Sequence, residues 1–144
     1  MQLQNISSDL AAIDRSLIEQ RLTAILDLCA RGDAKGVASY FTPDVVYAGG
    51  TWPQYPLSAR REGREACADM IHAIHVAYES LGSVIEQIVM EGDRLALRRV
   101  TTLRNRGSGR TAPIVIWNFV RLRDGLICEY SEYPDTLAVA ALDD

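Results

Sequence analysis

The sequence is poor in the residues on which several kinds of function depend. It holds three cysteines and two histidines in 144 residues. Cys29, Cys67 and Cys128 lie far apart and match no metal-ligand spacing, which argues against a disulfide framework and for reduced thiols in a reducing compartment, the cytoplasm by default. His72 and His75 have no third ligand and no HExxH pattern beside them, so they read as flank or solvent-facing histidines rather than a metal site. Positive charge is not concentrated: the formal net charge is -4, and the arginines are scattered among acids and apolar residues, so nucleic acid is not an expected partner. No apolar run reaches membrane-spanning length, and the first residues lack a positive region followed by an apolar one, so neither membrane insertion nor export is expected. There is no internal repeat and no low-complexity tract.

What is present suits one globular domain over residues 1–144, with 48% hydrophobic residues and enough length for a core and a ligand cavity. The stretch from Asp93 to Asp135 reads as three consecutive strands, Leu95 to Leu103, Thr111 to Arg123 and Leu126 to Tyr133, joined by Gly-containing turns. With a period of two, Leu95, Leu97, Arg99, Thr101 and Leu103 share one face of the first strand. An arginine on an apolar face requires a carboxylate or a ligand anion, because an unpaired buried guanidinium is costly.

Upstream, Leu10, Ile13, Leu17, Leu22, Ile25, Leu26 and Cys29 recur at helical spacing, with Ser8 or Asp9 as N-cap and Gly32 as C-cap. A short helix follows from Asp33, and the Thr42-Pro43-Asp44 turn stops it. Val45 to Tyr47 is a brief strand. Trp52-Pro53-Gln54-Tyr55-Pro56 is a loop whose two aromatics either rim a pocket or pack the loop down. A helix from Gly63 to about Glu79 carries Cys67, Ile71, Ile74 and Tyr78 on one face. Leu81-Gly82-Ser83 breaks it before a strand from Val84 to Met90. The turn from Asn105 to Gly109 reads as long and mobile, and a terminal helix spans Asp135 to Leu142. Helices followed by an antiparallel meander give an α+β class: a cone-like, curved, mixed or antiparallel sheet with the N-terminal helices on its concave side and an apolar pocket at the open end.

Three local patterns strengthen this reading. They are Ala30-Arg31-Gly32-Asp33 with Tyr40-Phe41-Thr42-Pro43-Asp44-Val45, then Gly63-Arg64-Glu65-Ala66, and Leu122-Arg123-Asp124-Gly125-Leu126-Ile127 continuing through Tyr130, Tyr133 and Asp135. Together they resemble the SnoaL-like branch of the nuclear transport factor 2-like superfamily, which includes ketosteroid isomerases, polyketide cyclases and limonene epoxide hydrolases. Resemblance to the isomerases implies a catalytic aspartate near the end of the first strand, where this chain has Gly49, and oxyanion donors where it has Ile25 and Trp117. The epoxide hydrolases match more closely: Arg99-Val100-Thr101-Thr102-Leu103-Arg104 is similar to their Arg-Val-Asp-Val-Leu-Arg, and Ser131-Glu132-Tyr133-Pro134-Asp135 to their Arg-Asp-Tyr-Phe-Asp. The resemblance keeps Arg99 and Tyr47, places Glu132 at one family aspartate, and substitutes Thr101 and Gly49 for an aspartate and a water-holding asparagine.

Strand parity groups Cys128, Tyr130 and Glu132 on one face and Val115, Trp117 and Phe119 on another. These faces predict a pocket lined by Leu97, Trp117, Cys128 and Tyr130, with Trp52 at its rim. In it Glu132 is the base, Arg99 its partner, Tyr47 a hydrogen-bond donor and Thr101 an auxiliary hydroxyl. Cys128 reads as an inert thiol and Ser131 has no triad partners. Two functions stand: a cofactor-independent isomerase, cyclase or hydrolase acting on a small apolar molecule with a polar group, or a non-catalytic ligand-binding or interaction domain in which Arg99 and Glu132 brace the sheet. The face carrying Ile114, Ile116, Asn118, Val120 and Leu122 is assigned to the outside, where its apolarity predicts a homodimer.

Overall fold

The amphipathic N-terminal stretch forms α1, Gln2–Ala30. The computed structural model describes the backbone of residues 2–54 and 56–144 and the side chains of residues 15–54 and 56–144. The helix runs through Ser8 and Asp9, so the N-cap expected there is not one; Leu10, Ile13 and the loop residue Tyr55 lie outside the described side chains. Leu22, Ile25 and Cys29 face the core, joined by Ile18 rather than by the exposed Leu17. Gly32 ends the helix as expected, with φ +71 and two closing bonds, Gly32 N–H to the Cys29 carbonyl and Asp33 N–H to that of Leu28, both 3.0 Å. This pairing relieves the carbonyls that a helix end leaves unmatched. The Asp33 carboxylate then accepts from Gly36 N–H at the start of α2, Ala34–Ala38.

The first strand is longer than its sequence suggests. β1 spans Phe41–Gly50 and takes in the Thr42-Pro43-Asp44 segment expected to be a turn. Pro43 is tolerated because the pairing with β6 is irregular between Phe41 and Val46, so no regular ladder bond is asked of its missing N–H. The two-residue β2, Arg61–Glu62, pairs with Val46 and Tyr47 and is too short to leave a periodic signal. α3 is Arg64–Ala77, and β3 follows at once as Tyr78–Glu91. The Leu81-Gly82-Ser83 break is thus not a helix end but a bulge inside β3, between Ser80 and Ser83, with Gly82 at φ +130.

β4 (Arg94–Asn105), β5 (Thr111–Arg123) and β6 (Leu126–Pro134) form the meander that alternation predicts. The turn between β4 and β5 is short and tied: Asn105 Oδ1 accepts from Gly107 and Ser108 N–H at 2.8 and 3.1 Å, while its Nδ2 donates to Asp143 at 2.7 Å. α4, Thr136–Ala140, is capped by the Asp135 carboxylate, which accepts from Ala138 N–H.

The sheet order is β2-β1-β6-β5-β4-β3. β1 runs parallel to β6 and the other neighbours are antiparallel. The result is a curved, unclosed six-stranded sheet with α1 to α3 on its concave side, the α+β cone anticipated. Arg15 donates to the Ile88 carbonyl at 2.9 Å and Arg21 to that of Gly125 at 2.6 Å, which fixes α1 across the sheet from β3 to the β5–β6 turn. One core cluster lies under α1 and α3; a second joins Trp52, Leu57, Tyr78, Leu103, Ile114 and Ile116 to Val139 and Leu142 of the C-terminal segment.

Two parity assignments change. Arg99 pairs with Ile116 and Thr101 with Ile114, and directly opposed residues of an antiparallel pair share a face. Hence Ile114, Ile116, Asn118 and Val120 are buried inside, while Val115, Trp117 and Phe119 point outward. The outer-face assignment of the isoleucines is overturned, and with it the surface proposed for a homodimer. In β6 the register slips between Arg121/Glu129 and Leu122/Ile127, so Cys128 is the extra residue of a bulge and leaves the face of Tyr130 and Glu132.

Gly50 marks a close approach of β1 to β6. A Cβ there would collide with the Glu132 carbonyl oxygen and come within 2.7 Å of the Tyr47 hydroxyl. Gly50→Ala is expected to lower stability by about 2–3 kcal/mol, the scale of an overpacked interior, measured as a urea midpoint. An unchanged midpoint would show that the strands part freely at this site.

Candidate functional site

Arg99, the awkward residue of the sequence, projects from the middle of β4 into the cone and is 8% exposed. Each of its nitrogens is engaged: Nε donates to Asn118 Oδ1 at 2.9 Å, Nη1 to Thr101 Oγ1 at 2.6 Å and Nη2 to Glu132 Oε1 at 3.2 Å. The three acceptors come from β5, β4 and β6, so the guanidinium spans three adjacent strands. Thr101 Oγ1 is itself 2.6 Å from Ser83 Oγ on β3.

Glu132 receives more than this ion pair. Its Oε1 also accepts from Asn118 Nδ2 at 3.3 Å, and its Oε2 from Trp52 Nε1 at 3.0 Å. Trp52, from the loop after β1, is 5% exposed and lies against Tyr78 with ring centroids 5.8 Å apart. It packs the loop down and touches the acid as well. The amide of Asn118 is oriented by its second bond, Nδ2 to the Ser131 carbonyl at 3.1 Å.

Two small cavities, about 80 and 70 Å³, meet at this network and share Cys29, Ile71, Arg99, Tyr130 and Glu132. The inner one is walled by Leu22, Ile25, Val37, Leu97, Val120 and Ile127. The outer one is walled by Trp52, Ile74, His75, Tyr78, Leu103 and Ile116. At its margin Arg106 Nη2 lies 3.2 Å from His75 Nε2. His75 is therefore half-buried beside the cavity rather than solvent-facing, while His72 is exposed.

Among the described residues the Tyr130 hydroxyl is buried without a hydrogen-bond partner, as is that of Tyr47. Burial pushes both phenols well above their ordinary range, with the nearby Glu132 charge adding to the effect. Burial likewise pushes the Cys29 thiol up to about 11, Arg99 opposing it and Glu132 adding to it. All three are proton-bearing at neutral pH, and Cys29 is a poor nucleophile.

Of the residues selected from sequence, Glu132, Arg99, Thr101, Tyr130, Leu97 and Trp52 come together. Trp117 and Cys128 do not: Trp117 is on the outer face, and the Cys128 thiol turns away to the Arg121 carbonyl at 3.5 Å. Tyr47 is fully buried but lines neither cavity; its ring packs against Tyr130 at a tilt of 51°, centroids 5.1 Å apart. Asn118 and Cys29 were not anticipated as site residues. The usable signal for Asn118 was the length of the β4–β5 turn, since the count of turn residues fixes which face of β5 opposes Arg99. Among the described residues no group of three or more His, Cys, Asp or Glu side chains is placed to hold a metal ion.

The family model for the SnoaL-like domain matches residues 22–130. The chain belongs to the SnoaL-like domain family. No curated protein sequence matches it. Solved structures share the fold at low identity. A Bacillus subtilis protein whose isomerase assignment is provisional superposes with TM-score 0.76 at 16% identity, covering 90% of this chain and 94% of that one. A nuclear transport factor 2-like protein from Burkholderia xenovorans LB400 gives 0.68 at 22%, covering 88% and 95%. IdmH from Streptomyces antibioticus, provisionally a polyketide cyclase, gives 0.68 at 20%, covering 87% and 96%. These likenesses show the shared fold and leave the chemistry to the site. No helix among the described residues is long and apolar enough to cross a membrane.

The Arg99 and Glu132 side chains retain 10% and 15% of their accessible surface, so neither charge is well solvated. Removing one partner should strand the other: Arg99→Met is expected to cost about 3 kcal/mol. Adding Glu132→Gln to that variant should restore part of the loss, because the stranded charge is gone. Chemical denaturation of the two singles and the double gives the coupling directly; strictly additive costs would mean the pair is not coupled.

Proposed function

We propose that this SnoaL-like domain is a small-molecule enzyme of isomerase, cyclase or hydrolase type, working by acid–base chemistry in an apolar cavity with Glu132 as its base. The observation that carries the reading is the division of labour at that carboxylate. Oε1 is taken up by Arg99 and Asn118, whereas among the described residues Oε2 holds the Trp52 N–H alone, which leaves it with capacity to accept a proton from a carbon acid or from water. Charge developing on a substrate oxygen would call on the Tyr130 hydroxyl, which is buried and unpartnered among the described residues. Tyr130 therefore takes the donor role that the sequence suggested for Tyr47, and Thr101 holds the guanidinium in place. These groups supply the acid–base chemistry without calling on a cofactor.

The competing reading is a ligand-binding or interaction domain without turnover. It is favoured by the saturation of Arg99 and by the threonine at position 101, which leaves one carboxylate in the network. The two readings separate on a panel of small ketones and epoxides followed by chromatography. Glu132→Gln is expected to lower turnover about a hundredfold or more while still giving a ligand-induced rise in melting temperature. Turnover equal to the parent's would remove Glu132 as the base.

Self-association is part of the same proposal, through the opposite face from the one first assigned. Phe119 and Tyr133 are 52% and 41% exposed with centroids 5.8 Å apart, and Val84, at 67%, continues a row through Val100 and Val115 by direct strand pairing. A second copy covering these strands would remove the largest apolar side chains of the sheet from water. Sedimentation at micromolar concentration should show a dimer that Phe119→Glu converts to monomer; a monomeric parent would refute it.

A further inference from the structure

The outer cavity approaches solvent where three elements meet. Its deep walls, Trp52, Tyr78, Leu103 and Ile116, are buried. Its half-buried residues include Gly32 just after α1, Ile74 and His75 near the end of α3, and Ser80 near the start of β3. One ring crosses the gap between α1 and α3. The tip of the His75 imidazole rests on the backbone of Gly32, where a Cβ would collide with Nε2, Cε1 and Cδ2 together.

Arg106, in the turn after β4, meets that ring from another side. Its Nη2 lies 3.2 Å from His75 Nε2, and because a guanidinium can only donate, Nε2 is the acceptor and Nδ1 carries the ring hydrogen. Glu79 steadies the guanidinium, with Oε2 3.8 Å from Nη1. The backbone beside the contact is tied separately: Arg106 N–H donates to the Ala77 carbonyl at 3.1 Å, and Arg106 Nε to the His75 carbonyl at 2.9 Å. The ring can therefore leave Gly32 by a side-chain rotation while α3 and the turn stay joined. The Arg106 side chain keeps 40% of its accessible surface, and a polar contact exposed to that degree holds weakly. His72, one turn earlier on α3, is exposed and lines neither cavity of the site.

From this geometry we infer that His75 is the gate of the outer cavity. In the closed position its ring sits on Gly32 and is latched by Arg106; in the open position the ring has rotated out and the Trp52 and Tyr78 wall is reached from solvent. Small molecules then pass between the end of α1 and the β4–β5 turn to reach Arg99 and Glu132. The gate takes its purpose from the acid–base site proposed at Glu132, but it concerns access alone and serves any occupant of the cavity.

The test uses acrylamide, a small neutral quencher, and the fluorescence of Trp52. The chain has two tryptophans, so Trp117→Phe on the outer face makes Trp52 the sole reporter. In that background Trp52 is expected to be poorly quenched. Arg106→Leu should raise its quenching constant about two- to fivefold, the shift in open population that one half-exposed polar contact supports. His75→Ala, which removes the ring, should raise it further, and His72→Ala should leave it unchanged. Each variant is read in the full chain without denaturant, with its urea midpoint confirming that it is folded; if His75→Ala does not fold, Arg106→Leu decides alone. Quenching at the background level in the folded variants, or an equal rise in His72→Ala, would overturn the inference. The outcomes stay separate from those of the acid–base reading: a working gate without any turnover defeats the base assignment alone, and turnover with unmoved quenching defeats the gate alone.

Discussion

The interior of this domain is built around one poorly solvated guanidinium. Arg99 enters the cone from β4, and a charge in that position is tolerable only if its nitrogens are matched by well-placed acceptors. The match is made by Thr101 two residues along the same strand, Asn118 on β5 and Glu132 on β6. Because these acceptors belong to three strands, satisfying the guanidinium also sets the lateral register of the meander. Asn118 links the scheme on both sides, accepting from Arg99 and donating to Glu132 and to the Ser131 backbone.

Two departures from regular sheet geometry make that convergence possible. The bulge at Cys128 changes the parity of β6, so that Ile127, Tyr130 and Glu132 can all contribute inward where strict alternation would turn one set out. The glycine at position 50 lets β1 lie against the Glu132 backbone, and Thr51 N–H donates to the Glu132 carbonyl at 3.1 Å. The same approach carries Trp52 to the far oxygen of the carboxylate. Strand irregularities are a common means of re-aiming a side chain.

The site is a polar knot set in apolar walls, and its two properties follow from the same fact. Low solvation strengthens every hydrogen bond in the knot and raises the proton affinity of the neighbouring phenols and thiol. It also makes the unmet Tyr130 hydroxyl costly. With a threonine at position 101, Glu132 is the one carboxylate bonded to the Arg99 guanidinium among the described residues.

The α+β order, the meander and the importance of Arg99 were legible in the sequence, because alternation along β4 is uninterrupted and an arginine among leucines is chemically conspicuous at any register. The pairing with Glu132 was legible too, through resemblance to a family with an arginine and acids at those positions. What the sequence left open was which face of β5 and of lower β6 turns inward. That choice hangs on the number of residues in the β4–β5 turn and on one extra residue at Cys128, and a shift of one reverses every side chain on the strand. Trp117 and Phe119 looked like pocket aromatics, and Ile114 to Leu122 like a surface, for that reason alone. Asn118, Cys29 and the orphaned Tyr130 hydroxyl acquire meaning only in three dimensions, since burial and the absence of a partner are properties of neighbours brought from distant parts of the chain.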